Sequence, residues 1–314
     1  MALLNGAIKC RHGDQMRIGI DLGGTKIEFV AISGDGRILA RNRVPTPVGD
    51  YQATIEAIRK GVLTIERNIG RSGSVGVGIP GSVSPASGRI KNANSTWLIG
   101  ANLASDLELA LERPVRLAND ANCFALSEAT DGAGKDFDVV FGVILGTGVG
   151  GGIVINKQPV TGRNAITGEW GHNPLPWPEQ SEQDDRRCYC GQTGCIETYL
   201  SGPALSQAYQ AVSGSQIPAV EVAQRAKSGD TPAQEILAGY ERKLARALAQ
   251  IINILDPDVI LLGGGLSNLA QLYDTVPKLW QEWVFSDTVE TRLLPPLHGD
   301  SSGVRGAAWL WPAA

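Results

Sequence analysis

The stretch MRIGIDLGGTKIEFVAISGDGRILARNRVPTP, residues 16–47, decides the fold. Its apolar runs predict strands over 17–21, 27–33 and 37–44, joined by a glycine turn at Gly23-Gly24 and by SGDGR, an antiparallel meander that opens a sheet. Ile55, Ile58, Val62, Ile65 and Ile69 then recur at helical spacing, and SVGVGIP (74–80) reads as a buried strand ending at a Pro-Gly turn. Strand alternating with helix predicts an α/β layer architecture. Farther along, VVFGVILGTGVGGGIVINKQPV (139–160) repeats the opening plan. IGIDLGGT (18–25) and GVILGTGVG (142–150) are both a strand followed by a glycine-rich hairpin turn, which favours two related domains over one barrel. Leu244, Leu248, Ile251, Ile252 and Leu255 share one face of a long helix stopped by Pro257. DVILLGGGLS (258–267) is a buried strand running into three glycines, and SSGVRGAAWLW (301–311) is a small-residue helix expected to dock on a preceding domain.

Composition narrows the function. The 314 residues are 43% hydrophobic and 19% charged with 39 glycines, the balance of a globular protein with many tight turns. A net charge of -4, with no basic run interleaved with aromatics, argues against nucleic acid as a partner. No apolar run is long enough to span a membrane, and the start lacks the order of a secretion signal, so the expected setting is cytoplasmic and reducing. Regular patterning begins at Met16, and residues 1–15 read as a disordered extension.

Three constellations carry chemistry. The first is a set of glycine turns at strand ends: DLGGTK (21–26), LGTGVGGG (145–152) and LGGG (262–265). Glycine lets backbone N–H groups converge on an anion such as phosphate, although a packed hairpin uses it equally well. Asp21 is placed to meet magnesium beside such a phosphate, while Lys26 could be a solvated strand residue. The second is RLANDANCFALSEA (116–129), where Asn119 and Asp120 stand at a helix start. They either cap that helix or present Asp120 as an ionised carboxylate able to accept a hydroxyl proton. The third is GEWGHNPLPW with CYCGQTGCIE (188–197), in which His172, Cys188, Cys190 and Cys195 make a closed tetrahedral donor set for structural zinc. A disulfide between Cys188 and Cys190 would be strained, and a nucleophile needs one thiol and a base. Glu169 and Glu197 bracket this cluster.

DLGGTK, GIPG, NANSTW, NDAN, LGTGVGGG, GEWGH, CYCGQTGCIE and LGGG follow one another in the order of the ROK family of repressors, open-reading-frame proteins and sugar kinases, which the chain resembles over 16–311. NANSTWL, EWGHNPLPW and HGDSSGVRGAAWLW are most similar to the family's bacterial fructokinases, and DANCFALSEA is similar to its N-acetylglucosamine kinases. The resemblance implies a two-domain, actin-like ATPase (ribonuclease H-like) fold, residues 16–128 with the C-terminal helix 302–314 forming one domain and 129–301 the other, with a zinc loop over 169–197. It implies an ATP-dependent kinase, using magnesium, that phosphorylates the 6-hydroxyl of fructose, with mannose, glucose or N-acetylglucosamine as alternatives. Asp120 takes the general-base place. Asn94, Asn119, Asp120, Glu169, His172 and Glu197 fall at sugar-contacting positions. Asp21, Gly23, Gly24, Thr25 and Lys26, with Gly146, Thr147 and Gly148, match the phosphate turns, and Gly264 and Gly265 the adenosine side. A homodimer is the implied assembly. A sugar sensor without catalysis is the remaining alternative of a different class.

Overall fold

The computed structural model describes residues 15–93, 95–182 and 186–312. Except for Gln15, the expected disordered extension lies outside the described residues. The elements run in the order β1 (Arg17–Leu22), β2 (Lys26–Ile32), β3 (Ile38–Pro45), α1 (Tyr51–Ile69), β4 (Ser74–Ile79), β5 (Ser82–Val83), β6 (Ile90–Lys91), α2 (Leu103–Leu111), β7 (Val115–Asn119) and α3 (Asp120–Thr130). They continue through β8 (Val139–Leu145), β9 (Val149–Ile155), β10 (Gln158–Pro159), α4 (Glu197–Leu200), α5 (Gly202–Ser213), α6 (Ala219–Lys227), α7 (Thr231–Leu255), β11 (Val259–Gly263), α8 (Leu272–Leu279), β12 (Arg292–Leu294) and α9 (Ser302–Trp309). The described residues up to Cys123, with those from Gly303 onward, form one compact unit, and Phe124–Ser302 form the other. The boundary thus falls inside α3, where the sequence reading drew it after residue 128.

The two units repeat one sheet plan. The first sheet is ordered β3-β2-β1-β4-β7 and the second β10-β9-β8-β11-β12. In each, three antiparallel strands from a meander continue into two parallel strands. The short likeness between residues 18–25 and 142–150 is therefore the visible part of a whole duplicated topology.

Local signals account for the elements. Asp50 caps α1 by accepting from the Ala53 N–H at 2.9 Å, and Gly70 at φ 80° ends it. The face carrying Ile55, Ile58, Val62 and Ile65 joins β1, β2 and β4 in the core of the first unit. α7 starts earlier than its apolar stripe suggests, at a cap in which Asp230 accepts from Ala233 at 2.9 Å, and ends at Asp256 before Pro257. Leu244, Leu248 and Ile252 are buried, while Ile251 and Leu255 are partly covered. Each fully buried aliphatic of this kind contributes about 1.5–3 kcal/mol.

α9 joins the first unit through backbone contact. Val304 and Ala308 pack on Val30 and Ile32. Gly19 of β1 lies against the Val304 carbonyl, Gly76 of β4 against the Ala307 carbonyl, and Gly306 of α9 against the Cys123 carbonyl. A Cβ at any of the three would overlap a backbone oxygen. In the second unit, Glu128 is fully buried and accepts from Ala133 N (3.0 Å), Leu297 N (2.8 Å), His298 N (3.0 Å) and Ser302 Oγ (2.7 Å). It ties the far end of α3 to the segment leading into α9.

Candidate functional site

In the first unit the parallel pairing of β1, β4 and β7 brings their C-terminal ends to one edge. Asp21 registers with Gly78, and Ile79 with Asn119. Asp120 follows at once as the first residue of α3. Burial, then the charges of Asp120 and Glu28, push the Asp21 carboxyl up to about 6. Asp21 and Asp120, after burial, also raise the Cys123 thiol. Glu28 behaves oppositely: burial opposes its charge, but ion pairs with Arg43 and Arg41 hold it below the ordinary carboxylate range. A half-buried Asp21 beside an exposed Asp120 suits a hard divalent cation, since carboxylate oxygens are the donors magnesium selects.

Asn119 is largely occupied with structure. Its Nδ2 donates to the Gly81 carbonyl at 2.9 Å, and its Oδ1 accepts from Ala121 N at 2.9 Å, a proton shared with Asp120 Oδ1 at 2.8 Å. The two residues thus satisfy the helix start, as the capping reading of this segment expects. The Gly23–Lys26 turn is a tight hairpin, closed by Gly23 N donating to Lys26 O at 3.0 Å and braced by Thr46 Oγ1 on Gly23 O at 2.7 Å. Gly24, Thr25 and Lys26 are exposed at its tip. Asn94 lies outside the described residues.

In the second unit the turn between β8 and β9 is held from several sides. Gly146 N donates to Gly148 O at 3.0 Å, and Gly202 N, at the start of α5, donates to Gly146 O at 2.8 Å. Gly264, at φ 79°, lies against the Leu145 carbonyl and Gly146 N, a contact and a conformation that both require glycine. Gly265 faces open space, and Thr147 is exposed. Beside this turn is a cleft of about 570 Å³ whose lining includes Thr147, Glu197, Ser201, Ala204, Gln207 and Arg186.

The four donors His172, Cys188, Cys190 and Cys195 come together in the same unit, their ligand atoms all within 4.8 Å of one another. Cys190 Sγ is 3.6 Å from Cys195 Sγ, and Cys188 Sγ is 3.5 Å from His172 Nδ1. Tetrahedral zinc, with Zn–S about 2.3 Å and Zn–N about 2.05 Å, calls for about 3.8 Å between sulfurs and about 3.6 Å between sulfur and nitrogen. The donor set fits zinc in both chemistry and spacing. Burial pushes the Cys195 thiol up to about 12, whereas the Gln192 backbone N–H leads the influences that bring Cys190 down to about 7.

The other ring nitrogen of His172 is also engaged, with Nε2 lying 3.0 Å from Tyr189 Oη under an edge-on ring contact. Tyr189 is 74% exposed, and partial desolvation, followed by the Glu197 and Glu169 charges, pushes its hydroxyl up to about 12. Glu197 opens α4, and its Oε2 accepts from Val149 N at 2.9 Å. Sequence reasoning missed Tyr189 because a tyrosine between two cysteines carries no signature of its own. It also missed the anchor behind the loop, where buried Arg246 meets Glu182 at 2.6 Å and donates to Trp177 O at 2.5 Å.

The sequence pattern of the ROK family matches residues 17–314. The chain belongs to the ROK family. Across 94% of this ROK protein it is 41% identical to an N-acetyl-D-glucosamine kinase of Salmonella paratyphi B, covering 99% of that relative. The ROK hexokinase of Thermus thermophilus matches it with a TM-score of 0.83 at 29% identity, covering 94% of this chain and 97% of that one. A ROK family glucokinase from Streptomyces griseus, solved with glucose and AMPPNP, gives a TM-score of 0.75 at 29% identity, with 94% and 98% covered. The actin-like two-domain α/β fold expected of a ROK sugar kinase is therefore the fold of this chain. Among its described residues no helix is long and apolar enough to cross a membrane.

Proposed function

We propose that this ROK protein is an ATP-dependent hexose kinase that phosphorylates the 6-hydroxyl of its sugar, with Asp120 as general base. The observation that carries the reading is the pair of aspartates at the strand ends of the first unit, half-buried Asp21 and exposed Asp120. Asp120 stands at a helix start, where the dipole favours its ionised form, beside an Asp21 whose charge is left unbalanced by its neighbours. Asp120 accepts the proton of the sugar hydroxyl as that oxygen forms a bond to the γ-phosphorus and the bond to ADP breaks. Magnesium, once bound near Asp21, supplies neutralising charge to the phosphates. Gly24 and Thr25 in the first turn, and Thr147 and Gly148 in the turn of the second unit, offer backbone N–H groups to phosphate oxygens, with Gly23 and Gly146 closing those turns through their own N–H groups, while Gly264 and Gly265 take the adenosine side.

Asn94, Glu169, His172 and Glu197 are assigned to the sugar or to shaping its site, and Asn119 to orienting Asp120. His172, Cys188, Cys190 and Cys195 would hold zinc, which supplies a structural cross-link. Identity of 41% to an N-acetyl-D-glucosamine kinase supports that sugar ahead of the fructose expected from the sequence wording. Fructose remains the second candidate, carried by NANSTW and EWGHNPLPW. A coupled ADP-release assay over N-acetylglucosamine, fructose, mannose and glucose tests both. Sugar-dependent release with the highest kcat/KM for N-acetylglucosamine is expected. Release favouring fructose would overturn the order, and hexose binding without release would identify a sensor. A homodimer is proposed as the assembly, to be read by light scattering.

A further inference from the structure

Both limbs of the cysteine and histidine loop rest on the first residues of β9, the strand that leaves the glycine-rich turn. From the limb before His172, Trp170 Nε1 donates to Gly150 O at 2.8 Å. Gly168 lies against the Gly151 carbonyl and Gly171 against the Val149 carbonyl, so this limb follows β9 closely, with no room for a side chain at either glycine. From the limb after Cys195, Glu197 accepts the Val149 N–H, and a Cβ on Gly148 would stand 2.5 Å from the same Oε2. The other carboxylate oxygen faces Cys188 Sγ at 3.9 Å. The limbs are bonded to each other as well, with Ile196 N donating to Asn173 O at 2.8 Å and Leu175 N to Gly194 O at 2.9 Å. Whatever holds the four donors together therefore also holds Glu197 against the turn.

We propose that Glu197 is a positioning residue that couples the cysteine and histidine cluster to the turn at 146–149, so that closing the cluster on a metal sets the turn's geometry for nucleotide phosphate. This rests on the kinase reading but goes beyond a role for the loop in sugar binding. It assigns the loop an effect on the nucleotide even when no sugar is present. The cause is direct: without the acceptor at Val149, the backbone of Gly148 and Val149 loses its charge-assisted bond and the packing that fixes it.

The test is calorimetric titration of the full-length, zinc-loaded protein with MgADP in the absence of sugar, alongside its Glu197→Ala, Glu197→Gln and Cys190→Ser variants and wild-type protein stripped by a zinc chelator. Zinc content and thermal unfolding are measured on each. Glu197→Ala should keep its zinc yet bind MgADP about tenfold more weakly, the effect of one lost charge-assisted hydrogen bond. Glu197→Gln, whose amide oxygen still accepts from Val149, should stay within about threefold. Stripped wild type and Cys190→Ser should weaken to a similar extent, and adding Glu197→Ala to Cys190→Ser should cost nothing more, the non-additivity of a single linked path. Unchanged MgADP affinity in Glu197→Ala and in stripped wild type, or additive losses in the double variant, would overturn the coupling. A wild-type protein that binds no MgADP would instead overturn the kinase reading itself.

Discussion

Replacing Asp21 by Asn should stabilise the metal-free protein, and by more at high pH than at low. In the folded chain the Asp21 carboxyl titrates near 6, against an ordinary value of 3.8, because burial and then the Asp120 and Glu28 charges disfavour ionisation. A raised carboxyl pKa means the folded state holds its proton more tightly than the unfolded state, so stability falls as pH rises between the two values. The linkage relation gives a penalty of about 1.6 kcal/mol at pH 5, growing to about 3 kcal/mol by pH 8. An amide of the same shape carries no such penalty. The stability gap between Asp21→Asn and wild type should therefore widen by about 1.4 kcal/mol between pH 5 and pH 8, roughly 3–6 °C in melting temperature. Scanning calorimetry in EDTA at both pH values measures the gap, and carbon-13 NMR of labelled aspartate carboxyls follows the titration directly. Saturating magnesium at pH 8 should close much of it, because the cation offsets the same charge. A gap that is equal at the two pH values, or an Asp21 carboxyl titrating near 4, would refute the electrostatic reading of this pair.

Asp120→Asn should lower turnover by roughly 10²- to 10⁴-fold, the range for losing a proton-transfer group, with sugar-dependent ADP release as the assay. Elemental analysis of untagged protein should find about one zinc per chain, matching the one closed donor set among the described residues, and active protein free of zinc would count against it. Glu128→Gln turns an amide donor toward a pocket of donors and should cost about 1–3 kcal/mol in urea unfolding. Gly306→Ala, which drives a methyl into the Cys123 carbonyl, should prevent α9 from seating, whereas Gly239→Ala, inside α7 and meeting only the end of Lys243, should be neutral or stabilising by up to about 1 kcal/mol.

Most of the sheet framework was legible because it follows from period. The opening meander alternates with helix α1 at spacings that local sterics impose, and Pro257 stops a helix by a rule that needs no tertiary partner. The cluster of His172, Cys188, Cys190 and Cys195 was legible for a similar reason, since three of the four lie within eight residues. What stayed hidden was whatever depends on a partner far along the chain. Glu128 reads in FALSEA as one more polar helix residue, and only the backbone of Leu297 and His298, about 170 positions later, makes it a buried hub. Val149 carries its information in an N–H that every residue other than proline possesses. Glu197 was singled out for the sugar, and its bond to that N–H appears only when the loop is folded back on β9.

The seating of α9 has a consequence for biosynthesis. Phe124–Ser302 is one uninterrupted segment whose core and sheet are complete as soon as it has left the ribosome. The other unit is interrupted: the backbones of β1 and β4 keep bare glycine surfaces at Gly19 and Gly76 until Val304 and Ala307 arrive, 285 and 231 residues farther along the chain. The segment made first is thus finished last, and a chain stalled or clipped before residue 303 would carry one finished half and one open to chaperones and proteases.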